Sequence, residues 1–333
     1  MRRRDFVGVV TIAMVGLSRY AFAQTKVNLP TIGLLMPMKE GTDLAKLRQD
    51  AFRAGLAAEG FLDGSNYLLL TRFLEGDFNR IEPVVQELGL LKPRVAAIAA
   101  MGINAFHQRY PETPVVFTGI AADPIALGWV QSYARPGGML TGNVMNAVGG
   151  EETMAQKRLG FFRELVPGAS KIGIVGSGTN PVLLKEREAL QKVAGQFGFE
   201  VLHYNIRSAD DLENAFSTGD RDDISAFYIS GEPLMFSNLS KVITFVAGSR
   251  KPTFGPYPEW GRAGLLMSYS QDPLEGYRNA GAYAAKILKG AKPGDLPIQQ
   301  ASKFILVINQ RVARSLGILV PPSLLALADE VID

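Results

Sequence analysis

The stretch VVFTGIAADPIALGWVQSYARPGGMLTGN, residues 115–143, decides the fold that the sequence predicts. It opens with an apolar run, Val115 to Phe117, which is typical of a buried strand. Asp123 and Pro124 follow a loop of small residues. Asp as N-cap with Pro at the first helical position predicts the start of a short helix there. Because open α/β sheets bind ligands beyond the carboxyl ends of their strands, this stretch is expected to border a cleft.

Strand and helix patterns alternate on both sides of this stretch. Buried strands are predicted at 31–36, 66–73 and 95–100 before it, and at 171–175, 226–230 and 265–269 after it. Strands separated by helices at this rhythm predict parallel, doubly wound sheets. No low-complexity linker divides the chain, which favours lobes joined by several crossing strands over independent domains. We therefore predict an α/β protein of two doubly wound parallel-sheet lobes: residues 30–143 with about 265–296, and residues 144–264 with about 297–333.

The first 23 residues are predicted to be a signal peptide. Arg3-Arg4-Asp5-Phe6 forms a twin-arginine pattern, an apolar run extends from Val7 to Leu17, and Ala21-Phe22-Ala23 is a small-x-small cleavage site. The apolar run is shorter than the ~20 residues of a transmembrane helix. A short N-terminal membrane anchor is the alternative. Cleavage would leave Gln24 first, with no cysteine for a lipid anchor, so we predict export to a bacterial periplasm.

Charge and cysteine content exclude several classes of function. The predicted leader carries four arginines against one aspartate, so its removal lowers the formal net charge from +3 to 0. No basic stripe with interleaved aromatic residues is present, so we expect no nucleic-acid partner. The absence of cysteine excludes disulfides, thiolate metal sites and a cysteine nucleophile. We predict neither a metal nor a cofactor.

Catalytic motifs are equally scarce. The two histidines, His107 and His203, lack metal-ligand spacing, and the chain contains no H-E-x-x-H, G-x-S-x-G or Walker sequence. A carboxylate pair such as Asp123 and Glu232 could act as in a glycosidase, but a sequence does not give their separation. We therefore predict a binding protein and not an enzyme.

Three helix starts are candidate sites for a charged ligand. Asn180 with Pro181 begins a helix after the glycine-containing turn at Gly176 and Gly178, which does not match a dinucleotide fingerprint. Free N–H groups at such a start attract a carboxylate, although an ordinary cap facing water explains the same residues. Asp123 and Glu232 are either N-caps or partners for a ligand ammonium group.

Aromatic residues cluster after the later predicted strands. Phe236 follows Glu232 by one helical turn, Tyr257 and Trp260 follow a short strand, and Ser268 with Tyr269 ends the next. Core packing is the default explanation for each aromatic residue. Their common position at strand ends favours an apolar pocket with a few oriented polar groups.

Several motifs spread along the chain resemble one family. They include TIGLL (31–35), DPIALG (123–128), RPGG (135–138), RELVPG (163–168), GLLMSY (264–269), ILKGAKP (287–293) and PPSLL (321–325). On these motifs the chain resembles the periplasmic substrate-binding proteins of ABC transporters, a family in which some relatives handle tryptophan and tyrosine. The resemblance implies the type I periplasmic-binding fold with a hinged cleft, a small-molecule ligand, an ABC permease in the inner membrane as partner, and a monomer. A ligand-sensing subunit that reports to a membrane kinase is the alternative.

Two loops depart from the family pattern and leave the ligand's identity open. The loop after the first strand reads Met36-Pro37-Met38-Lys39-Glu40, where relatives often carry serines. The loop after the third strand reads Met101-Gly102-Ile103-Asn104, where many have small residues. The ligand is expected to be a small carboxylate-bearing molecule with an apolar or aromatic body, such as an amino acid. The predicted ligand-binding residues are Pro37, Met38, Gly102, Asn104, Ala121, Asp123, Ser177, Thr179, Asn180, Glu232, Phe236, Tyr257, Trp260, Ser268 and Tyr269.

Overall fold

The computed structural model describes residues 29–99, 101–120, 122–145 and 150–333. The predicted signal peptide, residues 1–23, lies outside this part of the chain. In chain order the strands are β1 (Thr31–Met36), β2 (Leu68–Phe73), β3 (Val95–Ala99), β4 (Val115–Ile120), β5 (Leu140–Val144), β6 (Lys171–Gly176), β7 (Glu200–Asn205), β8 (Ala226–Ile229), β9 (Thr253–Gly255), β10 (Met267–Gln271), β11 (Gln299–Gln300), β12 (Phe304–Asn309) and β13 (Glu330–Ile332).

Helices alternate with these strands, as the sequence pattern predicts. They are α1 (Asp43–Ala58), α2 (Ile81–Leu90), α3 (Ile103–Arg109), α4 (Gly150–Leu165), α5 (Pro181–Ala194), α6 (Leu212–Arg221), α7 (Pro233–Ser237), α8 (Leu239–Ser249), α9 (Pro258–Ala263), α10 (Pro273–Leu288), α11 (Gln310–Ser315) and α12 (Pro322–Leu327). No helix in the described part of the chain is long and apolar enough to cross a membrane.

The strands form two sheets, one in each lobe. The first has the order β11-β5-β4-β3-β1-β2, and all its pairings are parallel. The second has the order β13-β12-β10-β9-β8-β6-β7, with β10 and β12 antiparallel and the other pairs parallel. The predicted α/β class with two doubly wound, mainly parallel sheets is confirmed.

Helices cover both faces of each sheet, so each lobe has a core on either side. In the first lobe one core includes Phe52 of α1 and Tyr277 of α10, and the other includes Phe106 of α3. In the second lobe the corresponding cores contain Phe162 of α4 and Phe216 of α6. Runs such as β1 and β3 are apolar throughout because both faces of a parallel sheet are covered.

The chain passes between the sheets at points that differ by a few residues from the predicted boundaries. It leaves the first sheet after β5, returns after β10 to form α10 and β11, and enters the second sheet again at β12. The boundaries predicted near 265 and 297 both fall too early. Residues 267–271 pair with β9 and β12 in the second sheet, and Gln299–Gln300 pairs with β5 in the first. An apolar run does not reveal which sheet it joins.

The predicted helix start at Asn180 forms a regular helix, and Glu232 precedes the short helix α7. Asn180 caps α5, its side chain accepts the Val182 N–H at 2.9 Å, and Pro181 is the first helical residue. The segment after Asp123 is instead a series of turns. Asp123 Oδ1 accepts the Ile125 N–H at 3.0 Å, and the Asp123 carbonyl accepts from Leu127 at 3.1 Å. The cap signal at Asp123 is thus real, but the apolar run behind it is too short to continue as a helix.

Helices α1 and α10 pack with their backbones in contact. A Cβ atom added to Gly55 would lie 1.9 Å from the Arg278 carbonyl oxygen, and one added to Gly281 would lie 2.1 Å from that of Phe52. Only glycine permits this approach, because any side chain would overlap a main-chain oxygen. The contact joins the C-terminal half of α1 to the middle of α10.

Candidate ligand-binding site

A cavity of about 970 Å³ lies between the two lobes. The first lobe contributes the segments after β1, β3 and β5 and the N-terminal parts of α1 and α10. The second lobe contributes the segments after β8 and β9 and the start of α8. Ligand sites commonly have volumes of about 300–1,000 Å³, so the cavity is large enough for a small molecule.

The first-lobe floor of the cavity is polar and firmly held. Thr118 at the end of β4 donates its hydroxyl to Asn143 Oδ1 at 2.8 Å, and Asn143 Nδ2 donates to the Gly276 carbonyl of α10 at 2.9 Å. A Cβ atom at Gly276 would lie 2.9 Å from Asn143 Oδ1 and 3.0 Å from Thr118 Oγ1. The missing side chain at Gly276 therefore lets α10 lie directly on the ends of β4 and β5.

An ion pair joins the two lobes within the cavity wall. Arg48 of α1 donates from Nη2 to Glu259 Oε1 of α9 at 3.4 Å, and the two side chains are only 13% and 14% exposed. The Arg48 guanidinium carbon lies 5.7 Å from the centre of the Tyr277 ring, within cation–π range. Arg48 Nε and Glu259 Oε2 have no hydrogen-bond partner among the described residues. Charges withdrawn from water need further hydrogen bonds, so this pair is suited to a polar ligand.

The second-lobe wall of the cavity is aromatic. The rings of Phe236 and Tyr257 both line it, with centroids 5.4 Å apart. Trp260, which is fully buried, stacks behind Phe236 at 4.7 Å and an interplanar angle of 29°. Burial raises the pKa of the Tyr257 hydroxyl well above its usual value, so the phenol stays neutral. The wall therefore offers flat apolar surface without a charge.

A buried carboxyl group stands behind this wall. The side chain of Glu232 has no exposed surface, and its Oε1 accepts the Ser177 N–H. Its Oε2 has no partner among the described residues. Burial raises the pKa of Glu232 to about 7, while the Ser177 hydrogen bond partly opposes that shift. Glu232 does not line the cavity.

A second buried carboxyl group lies next to it. Glu186 of α5 accepts the Ser230 hydroxyl at 2.7 Å and the Gly231 N–H at 3.1 Å. Burial raises the pKa of Glu186 to about 8, and the Glu151 charge adds to the shift, while Arg158 opposes it. Because Gly231 lines the cavity, this group supports the cavity wall from behind.

Comparison with known proteins places the chain in a family. A family model described as "ABC transporter substrate binding protein" matches residues 39–332, most of the chain. The chain belongs to this family. Since the family consists of substrate-binding proteins, the predicted resemblance and the prediction of a binding protein, not an enzyme, are both confirmed.

Individual relatives agree in fold. The substrate-binding protein is 23% identical over 282 residues to a protein of Clostridioides difficile (strain R20291) named "Tyrosine-binding protein", covering 83% of this chain and 78% of the relative. A structure described as the ABC domain from Streptococcus pneumonia in complex with L-Trp is 24% identical, with a TM-score of 0.80 and coverage of 91% of this chain and 100% of that one. A conserved domain protein from Vibrio cholerae O1 biovar eltor has a TM-score of 0.78 at 21% identity, covering 91% and 99% of the two chains.

Four of the predicted site residues line the cavity of this substrate-binding protein. Pro37 and Met38 follow β1 on the first-lobe side, and Phe236 and Tyr257 form the aromatic wall. All four belong to loops or helix starts at the carboxyl ends of strands, where the ligand-site rule for open sheets places them.

The predicted carboxylate site at residues 177–180 is filled by the protein itself. The Ser177 N–H donates to Glu232, the Gly178 N–H to Asn205 Oδ1 at 2.6 Å, and the Asn180 N–H to the Ser177 carbonyl at 2.9 Å. Ser177, Thr179 and Asn180 do not line the cavity. Asn180 is therefore an ordinary cap, and Glu232 occupies the place that the sequence suggested for a ligand carboxylate.

Three further predicted residues lie at the rim of the first lobe, outside the cavity lining. Gly102 precedes α3 with a φ of 89°, a conformation that favours glycine. Asn104 Oδ1 accepts the Trp129 indole N–H, and Asp123 is exposed with its carboxylate on the Ile125 N–H. Gly102 and Asp123 serve local turns, whereas Asn104 holds the Trp129 side chain. Ala121 lies outside the described residues.

The last group of predicted residues belongs to the second-lobe core. Trp260 and Ser268 have no exposed surface. Tyr269 packs between Phe161 and Phe304, with ring centroids 5.1 and 6.0 Å away. For Trp260 and Tyr269 core packing, the default explanation for an aromatic residue, matches their placement.

Sequence reasoning did not select several polar residues of the cavity. Thr118 and Asn143 both stand at the ends of strands in the 115–143 stretch, so their position was a usable signal. Arg48, Glu259 and Tyr277 come from three helices that meet only in the folded protein, and no local pattern indicates that meeting.

Proposed function

We propose that the protein is the solute-binding component of an ABC importer and that it binds an α-amino acid with an aromatic or apolar side chain. The observation that carries this proposal is the Arg48–Glu259 pair beside the Phe236–Tyr257 wall in one inter-lobe cavity. Closure of the lobes around the ligand would complete the site, because residues of both lobes line it.

The charges of the pair match a zwitterion. Arg48 would receive the ligand carboxylate and Glu259 its ammonium group, so that four charges alternate in sign without a net charge. Charge-assisted hydrogen bonds of this kind contribute about 1.5–3 kcal/mol each. A ligand with only one of the two charges would leave Arg48 or Glu259 less well compensated in a site that excludes much of the water.

The apolar part of the ligand would lie on the aromatic wall. Phe236 and Tyr257 present flat neutral surface, and stacking on such rings favours aromatic or large apolar side chains. The relative named as a tyrosine-binding protein and the similar structure with L-Trp support this choice of ligand class.

The N-terminal sequence and the family together support a periplasmic site of action. The arginine-rich start and the Ala21-Phe22-Ala23 sequence support export with cleavage before Gln24. A family of ABC transporter substrate-binding proteins implies delivery to a permease in the inner membrane. We propose that the protein acts there as a monomer.

Binding to ligand-free protein tests the proposal. Mass spectrometry of the copurified solute should detect an amino acid, and calorimetry should give saturable binding of L-tyrosine, L-tryptophan or L-phenylalanine. Phe236→Ala should weaken binding by about tenfold or more, because a buried aromatic side chain contributes roughly 1.5–3 kcal/mol. The control Asp123→Asn should bind as the parent does, since Asp123 is exposed and caps a turn that Asn also caps well.

Ligand analogues separate the parts of the proposal. Tyramine lacks the carboxylate of tyrosine, and 3-(4-hydroxyphenyl)propionate lacks its ammonium group, so each should bind at least about tenfold more weakly. Equal binding of either analogue would contradict recognition of the zwitterion by Arg48 and Glu259. Failure of every amino acid to bind would reject the proposed ligand class.

A further inference from the structure

Three methionines line the first-lobe side of the cavity. Met38 follows β1, Met101 follows β3 and Met145 follows β5, so three separate strand ends each contribute one. All three side chains are partly exposed, unlike the core residue Met36 just before them in β1. Thr118 and Gly119 of β4 lie between the β3 and β5 positions in the sheet order.

Met38 and Met101 are anchored on one side and free on the other. Met38 packs against the core that contains Phe52, and Met101 packs against the core on the opposite face of the sheet. Their remaining surface lines the cavity. A methionine side chain is unbranched, has three rotatable bonds and a polarisable sulfur, and fills irregular gaps better than branched residues do.

The opposite wall is far less adaptable. Phe236 is held by the stacked, buried ring of Trp260 and by Tyr257. A ligand side chain would therefore lie between a fixed aromatic wall and methionines that can change rotamer. Sulfur–aromatic contacts favour rings, and flexible methionines also accommodate aliphatic chains, as in binding proteins of broad specificity. The cavity volume of about 970 Å³ leaves room for side chains of different size.

We propose that Met38, Met101 and Met145 form an adaptable wall that lets the site bind several large apolar amino acids with similar affinity. This inference rests on the proposed function and adds to it the breadth of specificity. The Arg48–Glu259 pair would hold the common zwitterionic part, while the methionines rearrange around the variable side chain. The site would discriminate large apolar amino acids from small or charged ones. It would not discriminate among tyrosine, tryptophan and leucine.

Calorimetry with a ligand series tests the inference. For the parent protein, the dissociation constants of L-tyrosine, L-tryptophan, L-phenylalanine, L-leucine and L-methionine should lie within about tenfold of one another. The variant with Met38→Leu, Met101→Leu and Met145→Leu keeps apolar volume but replaces flexible chains by branched ones. Its dissociation constants should spread over about a hundredfold or more, with the best ligand still bound.

Control variants show whether the effect comes from the cavity. Met267→Leu changes a fully buried core methionine of β10 and should keep the narrow spread of the parent. Each single methionine-to-leucine variant should widen the spread of dissociation constants less than the triple variant does. If the triple variant folds poorly, the single variants test the inference in its place. Thermal melting checks that each variant is folded.

The outcomes distinguish this inference from the proposed function. If the parent binds one amino acid about a hundredfold better than all others, the adaptable wall is wrong while the proposed function stands. An unchanged spread in the leucine variants also overturns it. If the parent binds none of the series, the proposed function fails, and this inference fails with it.

Discussion

At the scale of single residues, Glu232 is the most unusual group of the second lobe. Its carboxyl group is fully buried, has one hydrogen-bond donor in Ser177, and has a pKa raised to about 7 by burial. Such a group binds more protons in the folded than in the unfolded chain between its ordinary pKa of 4.5 and its raised pKa. The free energy of unfolding therefore falls as pH rises through this range. Glu186, with a pKa of about 8, acts in the same direction.

We predict that Glu232→Gln removes part of this pH dependence. Gln keeps an acceptor for the Ser177 N–H and does not titrate. The free energy of unfolding of the variant should therefore fall less than that of the parent between pH 5 and pH 8. The difference from the parent should reach about 2–3 kcal/mol, measured by urea unfolding at several pH values. Glu188→Gln, exposed on α5, is the control and should follow the parent. Parallel curves for the parent and Glu232→Gln would show that Glu232 is charged in the folded protein.

Some site residues were predictable one by one and others were not. Pro37, Met38, Phe236 and Tyr257, which line the inter-lobe cavity, were predicted because a strand end followed by a loop is visible in the sequence. The donors at residues 177–180 were misassigned because Glu232 and Asn205, which occupy two of them, come from distant strand ends. A cap pattern shows that a donor needs an acceptor, but not whether that acceptor is a ligand.

At the scale of elements, the contact of α1 with α10 positions much of the site. Gly55 and Gly281 let the two backbones touch, and this contact places Arg48 and Tyr277 together near the N-terminal ends of the helices. The alternation of strand and helix patterns in the sequence predicted helices between the strands, since such patterns are local. It did not predict their pairing, because a glycine in a helix does not show which surface approaches it.

We predict that Gly281→Ala destabilises the protein by about 1–3 kcal/mol or more. The new methyl group would lie 2.1 Å from the Phe52 carbonyl oxygen, so the helices would have to separate. Gly160→Ala in α4 is the matched control, because its nearest neighbour would be a Phe197 ring atom at 3.5 Å. The control should be neutral or stabilise by about 0.5–1 kcal/mol. Equal unfolding midpoints for both variants would contradict the close packing of α1 and α10.

At the scale of the whole molecule, the Arg48–Glu259 pair connects the bodies of the two lobes. The ion pairs of Arg53 on α1, with Asp50 and with Asp63, stay within one lobe. Because Arg48 and Glu259 can meet only when the lobes approach, their attraction should favour the closed form. Low exposure makes this attraction stronger than that of a surface pair.

We predict that Arg48→Gln shifts the ligand-free protein toward the open form. Small-angle scattering should show a larger radius of gyration than the parent, and a saturating ligand should reduce the radius of the parent. Arg53→Gln on the same helix should leave the radius unchanged, since Arg53 pairs within the first lobe. If Arg48→Gln and the parent have the same radius without ligand, the pair does not contribute to closure.

The passage of the chain back into the first lobe also sets the order in which the protein can mature during synthesis. The first sheet has its central strands early, but α10 and β11, which cover and extend it, come after five of the seven strands of the second sheet. Until residue 288 has left the ribosome, α1 lacks the complete helix on which Gly55 packs. The first lobe must therefore wait, with apolar surface uncovered, while the second lobe's strands are made. A chain that stops at Gln271 would contain most of both sheets and still leave the N-terminal lobe unfinished.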